Sequence, residues 1–518
     1  MSLRRYGLLW LLGLMLSLGV AALQPFPGYL DAAYYFGGGL QLARGQGFTE
    51  PYIWTYLDDP AGLPHPSHGY WMPLASILSA LGMWLSGQET FAAGRLVFIL
   101  LASLIPPLTA RLAFALTCDR VLAWMAGFLA LFSGYYASFL STTDNFSPYM
   151  VLGALFFLLL SPSGAQPWRF FFLGVLAGLL NLARSDGVLW LVIALLAAFR
   201  IGKGSEGNSG SLWRSSLLRG AAVLVGFLPI MGPWYARNLQ VYGAPFSPAT
   251  SRTLWLRFYN ETFIYPPDLL TPQHLLASGW KAMLEARLWA LWQNAQTAFA
   301  VQGLVLLFPL ILIGFWKHRH DLRVQLGALA WGALYLVLSL IFPFAGARGG
   351  FFHAVAALQP LWFALAAVGF EALLSWAARR RGWYLPEAQR VFRPALILFV
   401  ALLTGYLIWG RVIRSGWGEG EQVYPAVERL LVEINAPAQA PILVLNPPAY
   451  YIMTGRPAVV HPYADENGLL DVARRYGVRY LALEPDSASL PFYSAIPNSP
   501  HFRYLGAIGA IRLFEILP

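Results

Sequence analysis

The sequence is poor in charge. Only 12% of its 518 residues are Asp, Glu, Lys or Arg, about half the share of a soluble globular domain, which excludes an ordinary soluble enzyme. Cysteine is almost missing. Cys118 stands alone, so no intrachain disulfide can form and any extracytoplasmic part must fold without one. No G-x-G-x-x-G follows a strand-like run, which argues against a dinucleotide site. The chain also lacks an internal repeat of the kind that marks many secondary transporters. Finally, the apolar run from Tyr6 to Leu23 has no small-residue cleavage site before Gln24-Pro25, so an uncleaved first helix is expected.

What is abundant is apolar surface. Hydrophobic residues make up 57% of the chain, and at about 20 residues per crossing their blocks make this a polytopic membrane protein. The net charge of +10 does not point to nucleic acid. The basic residues sit in short clusters between apolar blocks, as cytoplasmic loops do under the positive-inside rule. The 49 Gly and 36 Pro are tolerable where neighbouring helices satisfy the freed backbone groups.

Crossings are predicted at 6–23, 91–117, 121–140, 147–161, 168–183, 186–200, 216–236, 294–316, 324–343, 351–376 and 394–414, about eleven in all. Arg4 and Arg5 place the N-terminus in the cytoplasm, and Arg120, Arg169, Arg200, Lys203, Lys317, Arg319 and Arg379 to Arg381 fall on the same side. An odd count puts the C-terminus outside. A first external loop then covers 25–90, with Trp71 to Leu85 as a helix at the outer interface, and a second, aromatic-rich external loop covers 237–293. Gly202 to Ser211 reads as a flexible Gly/Ser linker without chemistry.

From Ser415 the character changes. Apolar runs shorten to strand length at Pro441 to Leu445, Ala458 to Val460 and Val478 to Leu483, with helical patterns at Pro425 to Ile434 and Gly468 to Tyr476. Residues 416–518 are therefore expected to form a small extracytoplasmic α/β domain. Asn446, Pro447 and Pro448 end its first strand, a position that suits either a ligand or a turn.

Polar groups in or beside membrane spans are costly and point to function. Here they gather toward the predicted outer face. They comprise Leu30-Asp31-Ala32-Ala33-Tyr34-Tyr35, Leu42 to Phe48 (LARGQGF), Pro64 to Pro73 (PHPSHGYWMP), Thr142-Thr143-Asp144, Asn181 with Ala183 to Gly187 (ARSDG), Pro233 to Asn238 (PWYARN) and Ala347 to His353 (ARGGFFH). Together with Ala92 to Leu96 (AAGRL), their order and spacing resemble the GT-C glycosyltransferases. The likeness is to the protein O-mannosyltransferase-related branch, which includes the rhizobial galacturonosyltransferases and the aminoarabinose transferases. It spans residues 1–415 and implies an all-α polytopic membrane bundle of GT-C type as a catalytic domain, ahead of the α/β domain.

The resemblance implies transfer of a hexosyl or pentosyl group from a polyprenyl-phosphate-sugar donor to a glycan, lipid or protein acceptor at the outer face of the plasma membrane, with inversion. Inversion needs one carboxylate to take the acceptor proton. Asp31 matches the family's first-loop acid, although Ala32 stands where many members carry Glu, and an Asp before Ala-Ala-Tyr-Tyr could equally cap a helix. Asp144 matches a second acid. Arg237, Arg348, Arg184 and Arg95 are candidates to neutralise the leaving phosphate; snorkelling to headgroups is their alternative. Tyr34, His65, His68, Trp71 and His353 are candidate substrate contacts. The sequence specifies no cofactor and leaves a divalent metal open, with Asp31, Asp144, His65 and His68 as the residues that could hold it. A polyprenyl-linked-glycan flippase or other transporter and a non-catalytic glycan-binding membrane protein remain alternatives.

Overall fold

The computed structural model describes residues 3–160, 166–201 and 209–517. The expected linker at 202–211 lies outside the described residues as far as 208, and a helix begins at Ser209. The chain divides into two compact units that interleave in sequence. A helical unit comprises Met1–Leu23, Arg95–Arg237 and Arg287–Ser415; a sheet unit comprises Gln24–Gly94, Asn238–Ala286 and Gly416–Pro518.

The helical unit is a multi-pass bundle. Among the described residues of the whole chain, six helices are long and apolar enough to cross a membrane, or seven if Gly279–Gln302 and Leu307–Lys317, bent by 90° at a short break, count as one span. Eleven is reached only by adding shorter helices such as Arg120–Leu131, Phe146–Leu159 and Pro167–Ala183, which fall below the length of a comfortable crossing. The third predicted crossing, 121–140, is the clearest departure. Its helix stops at Leu131, and Gly134, at φ 62°, opens a 3₁₀ turn over Gly134–Ser138 followed by irregular chain up to Phe146.

Bundle packing is close where side chains are missing. Gly314 lies against the Leu365 carbonyl while Gly369 lies against the Leu310 carbonyl, so a Cβ at either position would meet backbone. This is the small-residue contact by which apolar helices associate without a hydrophobic driving force between them.

Among the described residues the sheet unit holds eight short strands. They are β1 (Thr49–Glu50), β2 (Tyr52–Ile53), β3 (His65–Pro66), β4 (Ile442–Val444), β5 (Ala458–Val460), β6 (Tyr480–Leu483), β7 (Phe502–Ile508) and β8 (Ile511–Ile516). β1 and β3 form a small antiparallel pair, and the other six form one sheet in the order β2-β5-β4-β6-β8-β7. β2, β5, β4 and β6 run parallel, while β8 and β7 add an antiparallel hairpin. Alternation decides the layers. Ile442 and Val444 face the helices Tyr424–Glu433 and Pro447–Thr454, whereas Leu443 and Val459 face Glu466–Tyr476.

The three predicted strands and both predicted helices of the tail are present within one or two residues of their expected ends. Three pieces were not predicted. The helix Pro447–Thr454 follows β4, the β7–β8 hairpin closes one edge, and β2, from the first loop, pairs with β5 at the other. The second long loop is shorter than the expected 237–293: one helix runs on to Tyr242 and the next begins at Gly279, and between them lie short helical turns such as Pro248–Arg252, Tyr259–Phe263 and Pro272–Leu276, with a bridge from Ile264 to Tyr463.

Candidate active site

Asp31 lies in the sheet unit, in the first turn of the helix Leu30–Ala43, and is half-buried. It is not the cap. Tyr29 takes that position with extended backbone, and the helix has no side-chain cap bond, so the carboxylate sits where a helix N-terminus favours negative charge. The turn that delivers it is clamped. The Trp417 indole N–H donates to the Phe26 carbonyl at 2.9 Å, the Tyr29 and Trp417 rings meet edge-on at 5.8 Å, and Glu421 accepts the Gly28 N–H. Gly28, at φ 82°, lies against the Trp417 ring with no room for a Cβ.

Three of the predicted substrate contacts are instead internal supports of the first loop. The buried Tyr34 hydroxyl donates to Glu50 Oε1 at 3.1 Å and accepts the His68 N–H at 2.9 Å. Burial, and then the nearby Glu50 charge, push the Tyr34 phenol well above its usual range. His68 places Nδ1 on Ser67 Oγ at 2.7 Å and Nε2 on Ser76 Oγ at 3.0 Å. His65 places Nδ1 on the Pro66 carbonyl and Nε2 on the Tyr52 carbonyl, each at 3.0 Å. A neutral imidazole has a single N–H, so the two carbonyls share one donor between them. This corrects the expectation of a metal held by His65 and His68: both rings are buried in contacts within the first loop, and among the described residues neither belongs to a group of three metal-capable side chains. Trp71 differs. It stacks on Trp54 at 4.0 Å and 7°, meets the Tyr34 ring at 4.9 Å and remains half-exposed.

In the helical unit, the predicted acid and the predicted histidine meet. Ser141, Thr142, Thr143, Asp144 and Asn145 are all buried in the irregular segment before Phe146, where non-helical backbone is tolerated only inside protein or beside a cavity. Asp144 Oδ2 lies 3.2 Å from His353 Nε2, and Asp144 Oδ1 accepts the Asn145 N–H at 2.6 Å. His353 Nδ1 donates to the Gly349 carbonyl at 2.9 Å, and the ring stacks on Phe146 at 4.1 Å. A carbonyl on Nδ1 fixes the tautomer and aims Nε2 at the carboxylate. The pair can therefore work as imidazolium and carboxylate or as two ligands of a divalent cation.

The four arginines differ in their surroundings. Arg184 makes a bidentate pair with Asp186, at 2.6 and 3.1 Å, and donates to the Gly350 carbonyl at 3.1 Å. It thereby holds the kinked segment Gly346–Gly350, in which Gly349 adopts φ 123° and Arg348 is exposed. Arg237 lies 4.8 Å over the Trp234 ring near the end of the helix Ser209–Tyr242. Arg95 is half-buried just before the helix Leu96–Thr117. Asn181 donates to the Tyr235 hydroxyl at 3.1 Å.

Of the polar groups at the strand ends of the sheet unit, only Asn446 carried a sequence signal. At the C-terminal ends of β4 and β6, Glu484 accepts the Leu445 N–H at 2.8 Å beside the Tyr424 hydroxyl, and Asn446 donates to Glu421 at 2.6 Å. Burial pushes the Glu421 and Glu484 carboxyls up to about 7. His461, at the end of β5, bonds Ser487 at 2.8 Å and is held down to about 4 by burial. β4 lies between β5 and β6, so this edge is a topological switch point. Asn446 nonetheless acts as a cap, its side chain accepting the Ala449 N–H.

No protein-family model matches the chain, and no curated protein matches it in sequence. Solved structures do match. ArnT from Cupriavidus metallidurans, bound to undecaprenyl phosphate, aligns over 99% of this chain and 98% of its own, at 11% identity and a TM-score of 0.55. An Archaeoglobus fulgidus oligosaccharyltransferase, in complex with Zn and sulfate, aligns over 92% of this chain and 67% of its own, at 14% identity and a TM-score of 0.53. Both are GT-C-fold glycosyltransferases. The fold of this chain is thus the GT-C fold that its sequence blocks resemble.

Proposed function

We propose that this GT-C-fold chain is a glycosyltransferase of the plasma membrane. It moves a hexosyl or pentosyl group from a polyprenyl-phosphate carrier to a lipid, glycan or protein acceptor at the outer face, with inversion. In this reading the N-terminus is cytoplasmic, and the α/β tail and both long loops are extracytoplasmic. The observation that carries it is Asp31, a half-buried carboxylate in the first turn of the first-loop helix with no capping role, in a chain that follows ArnT over 99% of its length.

Asp31 accepts the proton of the acceptor hydroxyl as that oxygen bonds to the anomeric carbon. The bond from the anomeric carbon to the phosphate oxygen breaks, and its electron pair leaves with the phosphate. Arg237 and Arg348 neutralise that growing charge, with Arg95 as a further cation. Arg184, already paired with Asp186, serves by holding the Gly346–Gly350 kink that carries Arg348. Asp144 is the secondary acid and His353 its partner. Asp144 and His353 are residues that would hold a divalent cation, which would supply further charge neutralisation at the phosphate. Trp71, half-exposed, is the aromatic contact for the sugar.

The test is mass spectrometry of polyprenyl-phosphate lipids from membranes that lack the protein, complemented with wild type or Asp31→Asn, followed by transfer with purified protein. The expected result is a glycosylated carrier that accumulates in the null and Asp31→Asn strains and is cleared by wild type. Clearance by Asp31→Asn would remove Asp31 as the base and favour a transporter or a binding protein.

A further inference from the structure

The helix Leu385–Ile408 does not end in an ordinary polar loop. It passes into a π-helical turn, Trp409–Arg414, that carries two arginines. Beside this turn, wholly within the helical unit, opens a cavity of about 500 Å³ lined by Tyr135, Ser138, Tyr406, Trp409, Arg411 and Arg414 among others, with no acidic residue in its wall. Its size falls within the usual range for small-molecule sites, about 300–1,000 Å³.

The two guanidinium groups are oriented by rings rather than by carboxylates. Arg411 Nη1 donates to the Tyr135 hydroxyl at 2.9 Å, and its guanidinium lies 4.6 Å from the Phe139 ring centre. Arg414 lies 5.7 Å from the Trp409 ring centre. An arginine has five N–H donors, so Arg411 keeps most of its fork for an anion. Tyr406 and Trp409 are 63% and 45% exposed. Exposed Tyr and Trp at the end of a long apolar helix mark a membrane–water interface, and the anions met there are lipid phosphates, which the arginine fork fits bidentately. Leu407 and Tyr406 add an apolar wall along the helix for a chain. Behind the cavity, Tyr135 and Phe139 both pack on Phe352, at 5.5 and 5.6 Å, and Phe352 precedes His353. One layer of rings therefore separates this cavity from the Asp144–His353 pair.

We propose that the cavity is a binding site for the phosphate head of a membrane lipid, held by Arg411 and Arg414 and separate from the arginines assigned to the donor phosphate. The site stands whether or not the chain is a transferase.

The test uses the full-length protein in phosphatidylcholine nanodiscs, titrated separately with undecaprenyl phosphate, phosphatidylglycerol and inorganic phosphate, and read by native mass spectrometry. Expected is saturable binding of at least one phosphate lipid. An Arg411→Gln/Arg414→Gln variant should weaken it about thirtyfold, two cations acting together, and Asp31→Asn should leave it unchanged. Saturation by undecaprenyl phosphate alone would identify a polyprenyl carrier as occupant; saturation by both lipids would identify anionic headgroups in general. Inorganic phosphate competing as strongly as the lipids would overturn the lipid assignment. Wild-type affinity in the double glutamine variant would overturn the site itself, leaving two arginines that only face bulk headgroups. Both arginines are exposed, so the variants should fold, and Arg411→Lys/Arg414→Lys, which keeps the charge without the fork, should lie between.

Discussion

The acids of the helical unit and those at the switch point of the sheet unit have different neighbours, although elsewhere in the sheet unit Glu261 pairs with Arg257 and Glu428 with Arg456. In the helical unit, Asp144 faces His353, Asp186 faces Arg184, Asp321 faces Arg323 and Glu371 faces Arg393. At the switch point of the sheet unit, Glu421 and Glu484 have only neutral donors around them and are pushed up to about 7 by burial. Among apolar helices an unpaired charge is expensive, and the partner lies either two residues away, as for Asp186 and Asp321, or far along the chain, as for Asp144 and Glu371. In the sheet unit, a proton from solvent can do the same work. The comparison teaches that the answer to a buried acid depends on its neighbours: a cationic or imidazole side chain faces it among the helices, whereas burial among neutral donors raises the switch-point carboxyls.

The largest effect is expected at Asp31, the acid proposed as the base. Asp31→Asn should lower turnover by about 10³-fold, a typical worth of general-base catalysis, with unchanged melting temperature. A purified transfer assay beside a thermal melt reads both. A loss below tenfold would place Asp31 outside the chemistry.

Next in size is the Asp144–His353 pair. His353→Ala leaves Asp144 buried without its partner and should destabilise the helical unit by about 3–5 kcal/mol. His353→Ala with Asp144→Asn should recover part of that loss. Denaturant unfolding in detergent gives the cycle, and strict additivity would show that the two groups are not coupled.

The switch-point carboxyls predict a pH dependence of opposite sign to the usual one for acids. Their folded values, about 7, lie above the unfolded value of 4.5, so the folded state holds protons that the unfolded state has lost. Stability is full below about 4.5 and declines as pH rises through about 7, by a few kcal/mol per group at most. His461, held down to about 4, acts on the acid side: its contribution is present above about 6.5 and declines as pH falls toward 4. Hydrogen exchange of the sheet unit from pH 5 to 8 should show falling protection in wild type and a flatter profile in Glu421→Gln/Glu484→Gln. A flat wild-type profile would mean that both carboxyls ionise freely in the fold.

The smallest expected effect is at Gly28. With φ 82° and the Trp417 ring against it, Gly28→Ala must shift the turn before Asp31. It should cost about 1–2 kcal/mol of stability and lower kcat more than it raises KM. Equal changes in the two would assign Gly28 to folding alone.

Much of the fold was legible. Short β-branched runs marked β4, β5 and β6, and apolar blocks marked the bundle. β2 was not legible, because two residues carry no periodicity, and the β7–β8 hairpin hid in a mixed sequence with only one face buried. Within the site, Asp144 stood out as an acid in an apolar stretch. Its bond to His353 did not, because 209 positions separate them. His65 and His68 misled for the complementary reason: their spacing suited a metal, but tertiary packing turned every ring nitrogen toward an internal acceptor or hydroxyl.

Composition and hydropathy alone determined that this chain enters a membrane, because the burial of apolar surface is additive along the sequence. They also determined where the polar blocks interrupt it. Which acid is paired, which is left to titrate and which arginines surround a cavity was decided only by the tertiary structure. Hydrogen bonds and ion pairs act over about 3 Å, and residues hundreds of positions apart reach that range only once the helices and strands have packed.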